Sequence, residues 1–268
     1  MKQHWAQLEE RGVIWGMHAL LKVYLWFGRR VLQVFLYPVV SYYWLFNSIG
    51  RQASRDYLHR VSAYLPSGYG ITGSYWHSYK HFVNFANIMI DKLAAWSGTI
   101  GVKDVDYVGR EAVIECVERG QGVLILAAHI GNMEVCRLMA TLRKAVTVNV
   151  LVHTKHAEKF NAVLNQYADL AYLNLIQVTE INAATAMLLQ DKIDAGELVV
   201  ITADRTPVKT QQRVTEALFM EQSAAFPQGP YILGGLLKCP VFTMFCLKHQ
   251  QRYRIYFEPF CEQTVIAA

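Results

Sequence analysis

Hydrophobic and polar positions separate an apolar N-terminal segment from a longer part in which strand and helix patterns alternate. Residues 13–50 are rich in Val, Leu, Phe, Tyr and Trp, and residues 31–50 form 20 positions without a formal charge. A helix of that length spans about 30 Å, the thickness of a bilayer core. Three interpretations stay open: a single transmembrane anchor, a pair of helices lying in the membrane interface, or an ordinary buried helix.

Beyond this segment, helices are predicted over 51–65 and 74–97, and from there short apolar runs alternate with helical periodicity. Strands are predicted at 123–128, 146–152, 197–203, 240–247 and 252–260, and helices at 110–119, 132–143, 156–169, 182–195 and 229–238. Such alternation predicts an α/β fold with a mostly parallel central sheet flanked by helices. We therefore predict an N-terminal helical, membrane-associated segment, 1–65, and an α/β domain, 66–268.

Composition narrows the class of partner. The 268-residue chain is 53% hydrophobic with a formal net charge of +5, which suits an anionic membrane surface, an acidic carrier protein or a phosphorylated acceptor. Neither an Arg-rich recognition helix nor zinc-type Cys/His spacing is present, so no nucleic-acid partner is expected. The five cysteines are odd in number and lack C-x-x-C spacing. They are expected to be reduced and buried in a chain that faces the cytoplasm.

A histidine and a glutamate flank one predicted turn. His129 ends the strand at 123–128, Gly131 and Asn132 form the turn, and Glu134 lies in the first turn of the next helix. Ligands bind open α/β sheets at this edge. A carboxylate that reaches an imidazole fixes its tautomer and makes it a good general base. The alternative is structural, with Glu134 in a helix-capping arrangement and His129 a satisfied strand-end histidine.

A second polar pair follows the strand at 197–203. Asp204 and Arg205 are predicted at the same sheet edge as His129, where Arg205 could pair with a phosphate. Asp204 could position Arg205 or bind the acceptor, and the structural alternative is an Asp-Arg pair that caps the loop. No metal site is expected, because His129 and Glu134 lack a third ligand at plausible spacing.

Other catalytic interpretations are weaker. Cys136 is a candidate nucleophile by position alone, about two helical turns from the histidine. The glycines of 68–73 spell G-x-G-x-x-G, but a helical pattern precedes them, which favours an interhelical loop over a dinucleotide site.

The H-x-x-x-x-E pattern in its strand-turn-helix setting, together with the segment 203–207, resembles the bacterial lipid A biosynthesis (late, lauroyl/myristoyl-type) acyltransferase family of the lysophospholipid-acyltransferase-like superfamily. The resemblance implies acyl transfer from acyl carrier protein, or less often coenzyme A, to a hydroxyl of a membrane lipid. It also implies the cytoplasmic face of the bacterial inner membrane, no cofactor beyond the thioester co-substrate, and further helical sequence after residue 268. The roles that it implies are His129 as general base, Glu134 as its partner, and substrate contacts by Gly131, Asn132, Asp204 and Arg205.

Two other functions stay open from the sequence. One is a thioesterase-like hydrolase, in which water replaces the acceptor hydroxyl, although no G-x-S-x-G nucleophile motif occurs. The other is a catalytically silent lipid-binding or scaffold protein of a lipid-synthesis complex. The intact pair of His129 and Glu134 argues against that second function.

Overall fold

The chain divides into two compact units. The computed structural model describes residues 14–66, 69–96, 98–136, 146–153, 173–178, 182–206, 213–250 and 252–261. Residues 15–94 with 218–224 form one unit, here called the helical unit, and residues 95–217 with 225–268 form the other, the sheet unit. The third helix groups with the N-terminal helices in this division, and the predicted domain boundary between residues 65 and 66 stays a prediction.

Three helices build the helical unit: α1 (Ile14–Phe46), α2 (Ser48–Tyr64) and α3 (Tyr75–Trp96). Helix α1 bends at Gly28, whose φ of 73° and ψ of −178° are not helical and suit a residue without a Cβ. Asn47 caps α2 by accepting a hydrogen bond from the Gly50 N–H at 2.9 Å. Within the described part of the chain, no helix is both long and apolar enough to cross a membrane.

Polar side chains join α1 to α3, and this line of contacts is called the polar seam. Its hydrogen bonds are Arg29 to Asp91, Gln33 to Asn87 at 2.8 Å, Ser41 to Tyr79 at 3.1 Å and Trp44 to Ser78 at 3.3 Å. Asp91 and Ser78 are buried at 1% and 0% exposure. These bonds give a physical reason for α3 to belong with α1, which hydropathy alone does not reveal.

The sheet unit contains one large sheet. Its strands are β1 (Val105–Val108), β2 (Val123–Gly131), β3 (Val148–His153), β4 (Leu173–Val178), β5 (Leu198–Thr202), β8 (Val241–His249) and β9 (Arg252–Cys261). Its described helices are α4 (Arg110–Glu118), α5 (Met133–Cys136), α6 (Ala183–Asp194) and α7 (Gly229–Leu237), with a 3₁₀ turn at Val102–Asp104. Across the described residues the strand order is β1-β9-β8-β2-β5-β3-β4.

The sheet is mostly parallel, which confirms the predicted fold class. Strands β8, β2, β5, β3 and β4 run in one direction, whereas β9 is antiparallel to β8 and β1 is parallel to β9. Alternate residues of β2 enter two cores. Ile125 packs towards α4 and α5, and Leu124 packs towards α6 and α7. Both residues are fully buried, so β2 is the central strand from which the site extends.

Several elements were not predicted. Strands β1 and β4 are absent from the predicted set, as is a two-stranded hairpin of β6 (Val214–Phe219) and β7 (Gln222–Pro227). The hairpin turns through Met220 and Glu221, both at positive φ, and its tip belongs to the helical unit. The predicted helix at 156–169 lies outside the described residues, as does the part of the helix at 132–143 that follows Cys136.

Candidate active site

The first half of the site is the turn that ends β2. Residues 123–127 of this strand are buried, and His129 then emerges at the surface. Gly131 has a φ of 75°, and a Cβ there would lie 1.8 Å from the Cys246 carbonyl oxygen of β8. Glycine is thus required by both the backbone conformation and the close approach of β8. The turn therefore packs directly against the neighbouring strand.

Asn132 anchors the start of α5. Its backbone N–H donates to the Cys246 carbonyl at 3.0 Å, and its Oδ1 accepts the Glu134 N–H at 3.2 Å. The residue is 1% exposed, and its Nδ2 has no hydrogen-bond partner among the described residues. These contacts give Asn132 and Gly131 structural roles in the turn. Their predicted contacts with substrate stay predictions.

The second half of the site comes from β5, the strand that pairs with β2. Thr202 aligns with Ala127, and the Ala203 N–H donates to the Ala127 carbonyl at 2.8 Å. Because the two strands are parallel and adjacent, their carboxyl ends meet, and the chain after β5 reaches the turn after β2. We call the edge at which β2, β5 and β8 end the carboxyl edge.

Asp204 binds His129 through both carboxylate oxygens. Oδ2 accepts the His129 backbone N–H at 2.7 Å, and Oδ1 lies 2.8 Å from the ring Nδ1. Burial raises the pKa of the Asp204 carboxyl, but the hydrogen bonds from the His129 side chain and backbone outweigh it and hold the pKa below its ordinary value. Asp204 is therefore an anion at neutral pH, bound to the Nδ1 edge of the imidazole.

This geometry decides which ring nitrogen is available for chemistry. A carboxylate accepts a proton, so Nδ1 is the protonated nitrogen and Nε2 carries the lone pair. The side chain of His129 is 38% exposed, so the imidazole is open to solvent and to substrates. A histidine with a carboxylate on Nδ1 and a lone pair on Nε2 is suited to general-base catalysis.

The contact between His129 and Asp204 is not predicted by the sequence, which indicates Glu134 as the partner of the imidazole and places Asp204 beside Arg205 or the acceptor. The sequence carried only an indirect signal, an acidic residue just after an apolar strand, because the adjacency of β2 and β5 depends on the strand order. Glu134 is half-buried in α5 and Arg205 is exposed, and their predicted roles stay predictions.

Cysteine chemistry is not favoured at this site. All five cysteines are free thiols. The pKa of Cys136 is raised well above its ordinary value by a hydrogen bond with Cys246 and by burial, and a neutral buried thiol is a poor nucleophile. Across the described ranges, no group of His, Cys, Asp or Glu residues could hold a metal ion.

A mostly parallel α/β sheet with a carboxylate-bound histidine at its carboxyl edge defines a class of protein equipped for general-base chemistry on a bound ligand. A family model described as bacterial lipid A biosynthesis acyltransferase matches residues 78–265. That span is more than half of the chain and includes His129, Glu134 and Asp204, so the chain belongs to this family. The resemblance found in the sequence is thereby confirmed, and membership supports acyl transfer to a lipid. A search of curated proteins returns no match.

Proposed function

We propose that the chain moves a fatty acyl group from a thioester donor to a hydroxyl of a lipid acceptor. The donor is acyl carrier protein, or alternatively coenzyme A, and the default acceptor is a lipid A precursor, because the family acts in lipid A biosynthesis. No cofactor beyond the thioester is proposed. The observation that carries the proposal is the contact of 2.8 Å between His129 Nδ1 and Asp204 Oδ1, which leaves Nε2 as a base.

The proposed step needs no acyl-enzyme intermediate. Nε2 of His129 removes the proton of the acceptor hydroxyl while the oxygen of that hydroxyl attacks the thioester carbonyl carbon. The tetrahedral intermediate then collapses and the carbon–sulfur bond breaks. The leaving thiolate takes the proton from Nε2 of His129 and departs as a thiol. Asp204 stabilises the imidazolium that forms between these events, because its carboxylate is already charged and in contact with Nδ1.

The other predicted site residues complete the proposal. Glu134 supplies a second carboxylate close to His129 in the chain and contributes to the balance of charge on the imidazolium. Arg205 follows Asp204 and would pair with a phosphate of the donor or of the acceptor. Gly131 and Asn132 hold the turn against β8, which fixes the position of His129 and brings the backbone close to bound substrate.

Membrane association is part of the proposal and is supported by the polarity of the helical unit. In a water-soluble helix pair the apolar faces pack together and the polar faces point outward. Here the polar seam lies inside, whereas large apolar side chains of α1 face outward, with Trp26 75% and Phe46 74% exposed. An extended exposed apolar face marks a membrane or protein contact. We propose that α1 lies in the interface at the cytoplasmic face of the bacterial inner membrane.

The test is acyl transfer by detergent-purified protein. Labelled acyl carrier protein thioesters are offered with a panel of hydroxylated lipids to the unmutated enzyme and to His129→Ala, with His59→Ala, an exposed histidine of the helical unit, as the matched control. A general base contributes about 10²- to 10⁴-fold, so His129→Ala is expected to lose that much turnover while His59→Ala keeps it.

Each outcome decides between the functions. Labelled lipid made by the unmutated enzyme and lost in His129→Ala supports acyl transfer and identifies the acceptor. Free fatty acid as the sole product, with every acceptor present, would favour a thioesterase-like hydrolase. Binding of lipid without turnover of any thioester would favour the silent lipid-binding or scaffold protein. Equal turnover in His129→Ala would remove the general-base role.

A further inference from the structure

A projecting hairpin stands beside the active site on the strand next to β2. Gly131 of β2 aligns with Cys246 of β8, and β8 continues to His249. Three further residues extend the strand by about 10 Å. Strand β9 then returns antiparallel, with Lys248 opposite Tyr253. The end of this hairpin therefore extends beyond the end of β2, next to the turn that carries His129.

The hairpin end is basic. The sequence contains no Asp or Glu between Glu221 and Glu258. Lys248 and Arg252 are exposed and Arg254 is half-buried, and these three residues are called the basic hairpin. The Lys248 ammonium lies 5.4 Å from the Tyr253 ring centroid on one face of the sheet. Arg252 and Arg254 are two residues apart and therefore share the other face.

Two carboxylates act on one cation of the basic hairpin, Arg252. Asp106 of β1 accepts hydrogen bonds from Arg252, at 2.6 Å from Nη2 and 3.1 Å from Nε. Both this pair and Asp104 favour the charged form of Arg252 and raise its pKa. Asp106 and Asp104 act on Arg252, and Lys248 and Arg254 bring the cations of the hairpin to three, in a stretch of sequence without Asp or Glu. The ion pair with Asp106 places the Arg252 guanidinium beside β1.

We propose that the basic hairpin is the docking surface for an acidic acyl carrier protein that delivers the thioester to His129. The inference rests on the proposed function for its donor. A single phosphate is bound by donors that converge on one point. These cations instead lie along a strand pair and on both of its faces, with Leu247 40% exposed among them. Such a surface suits the acidic side of a folded protein, with an apolar contact inside a charged rim.

The test compares binding and turnover in one set of variants. Charge reversal is Lys248→Glu with Arg254→Glu, and the charge-preserving control is Lys248→Arg with Arg254→Lys. A position control is Arg119→Glu, since Arg119 is 68% exposed and lies between α4 and the start of β2, at the opposite edge of the sheet. The Kd for fluorescent lauroyl-loaded acyl carrier protein is measured by anisotropy, because this readout needs no turnover.

The kinetic readout uses two donors. The ratio of kcat/KM for the loaded carrier to kcat/KM for a neutral thioester, acyl-N-acetylcysteamine, is measured at low and high salt. Charge reversal is expected to raise the carrier Kd and lower this ratio, each about tenfold or more, with most of the loss at low salt. Both controls are expected to retain the ratio. A carrier whose acidic residues are changed to lysine is expected to bind the charge-reversed enzyme better than the unmutated carrier does.

The remaining outcomes overturn the proposal. An unchanged carrier Kd would show that the carrier docks elsewhere, and an equal loss with both donors would indicate a disturbed site. A raised KM for the acceptor lipid alone would assign the cations to an anionic headgroup. An enzyme that turns over the neutral thioester but does not bind the carrier would overturn this proposal. The same result would show that acyl carrier protein is not the donor, while the general-base role of His129 would stand. An enzyme inactive with every donor that still binds the carrier through the hairpin would overturn the proposed function alone.

Discussion

Asp204→Asn tests the catalytic geometry most directly, because it keeps the shape of the side chain and changes its hydrogen bonding. Asp204 accepts two hydrogen bonds from His129, at 2.7 Å from the backbone N–H and 2.8 Å from the ring. An amide offers only one oxygen acceptor, so one of these positions must take an NH₂ group. If the oxygen keeps the backbone bond, the NH₂ faces Nδ1 and drives the ring proton to Nε2. The base that should accept the substrate proton is then lost.

The size of the effect follows from the contact. A hydrogen bond to a charged group contributes about 1.5–3 kcal/mol, which corresponds to roughly 10- to 150-fold in rate. A wrong imidazole tautomer can raise the loss to about 10⁴-fold. The side chains of His129 and Asp204 are 38% and 28% exposed, so water screens the pair. We therefore expect kcat to fall about 100-fold, with KM changed by less than about twofold.

The assay is steady-state acyl transfer with labelled thioester, after circular dichroism confirms that each variant is folded. Asp191→Asn, on the exposed surface of α6, is the matched control and is expected to retain full activity. Glu134→Gln is measured alongside. An active Asp204→Asn together with an inactive Glu134→Gln would refute the reasoning, since it would make Glu134 the partner of the imidazole during catalysis.

The lowered pKa of Asp204 also predicts a pH dependence of stability. A carboxyl whose pKa is lowered by folding stabilises the folded state above its ordinary value of 3.8. This contribution is lost as the pH falls through the lower, folded value. Asp204→Asn lacks the contribution, so it is less stable than the unmutated protein at neutral pH, and the difference narrows below pH 3.8. Urea unfolding across this range measures it, and a constant difference would contradict the assignment.

Two further predictions concern the turn and the membrane face. Gly131→Ala places a methyl group 1.8 Å from a backbone carbonyl of β8 and should lower the free energy of unfolding by more than about 2 kcal/mol. Gly120→Ala has a similar positive φ with open space around it and should cost only about 1 kcal/mol. Equal losses of the free energy of unfolding in the two glycine variants, measured by urea titration, would disprove the steric argument.

Phe35→Ser with Phe46→Ser, at positions 62% and 74% exposed, should weaken binding to anionic vesicles at least about tenfold in flotation assays. Phe260→Ser, on β9, serves as the control, and an equal effect there would assign membrane contact to another surface.

Sequence patterns predicted the elements whose burial is simple. Strand β2 is an unbroken apolar run because both of its faces are covered, and such runs are typical of parallel sheets. Strand β4 reads Leu-Asn-Leu-Ile-Gln-Val, and its polar positions conceal it at the edge of the sheet. The hairpin of β6 and β7 has almost no buried residue on either strand, so its pattern carries no signal of burial.

The site was predicted as a set of residues but not as a set of contacts. His129 and Asp204 lie 75 positions apart, and their contact requires β5 to be the neighbour of β2. That order depends on how the whole sheet assembles. Local spacing made Glu134 the obvious partner, since it is close in the chain. The polar seam was missed for a related reason: hydropathy averages over a helix and does not reveal which face is polar.

The ion pair of the polar seam, with its buried carboxylate, also constrains how this sequence can change over time. Asp91 is 1% exposed and is bonded to Arg29 beside the bend at Gly28. Loss of the arginine alone removes a cation from a buried carboxylate and is destabilising, whereas replacement of both residues by apolar ones can be neutral. A single substitution at either position is therefore expected to destabilise the fold. Among natural variants we expect positions 29 and 91 to covary, with apolar residues found at both positions or at neither.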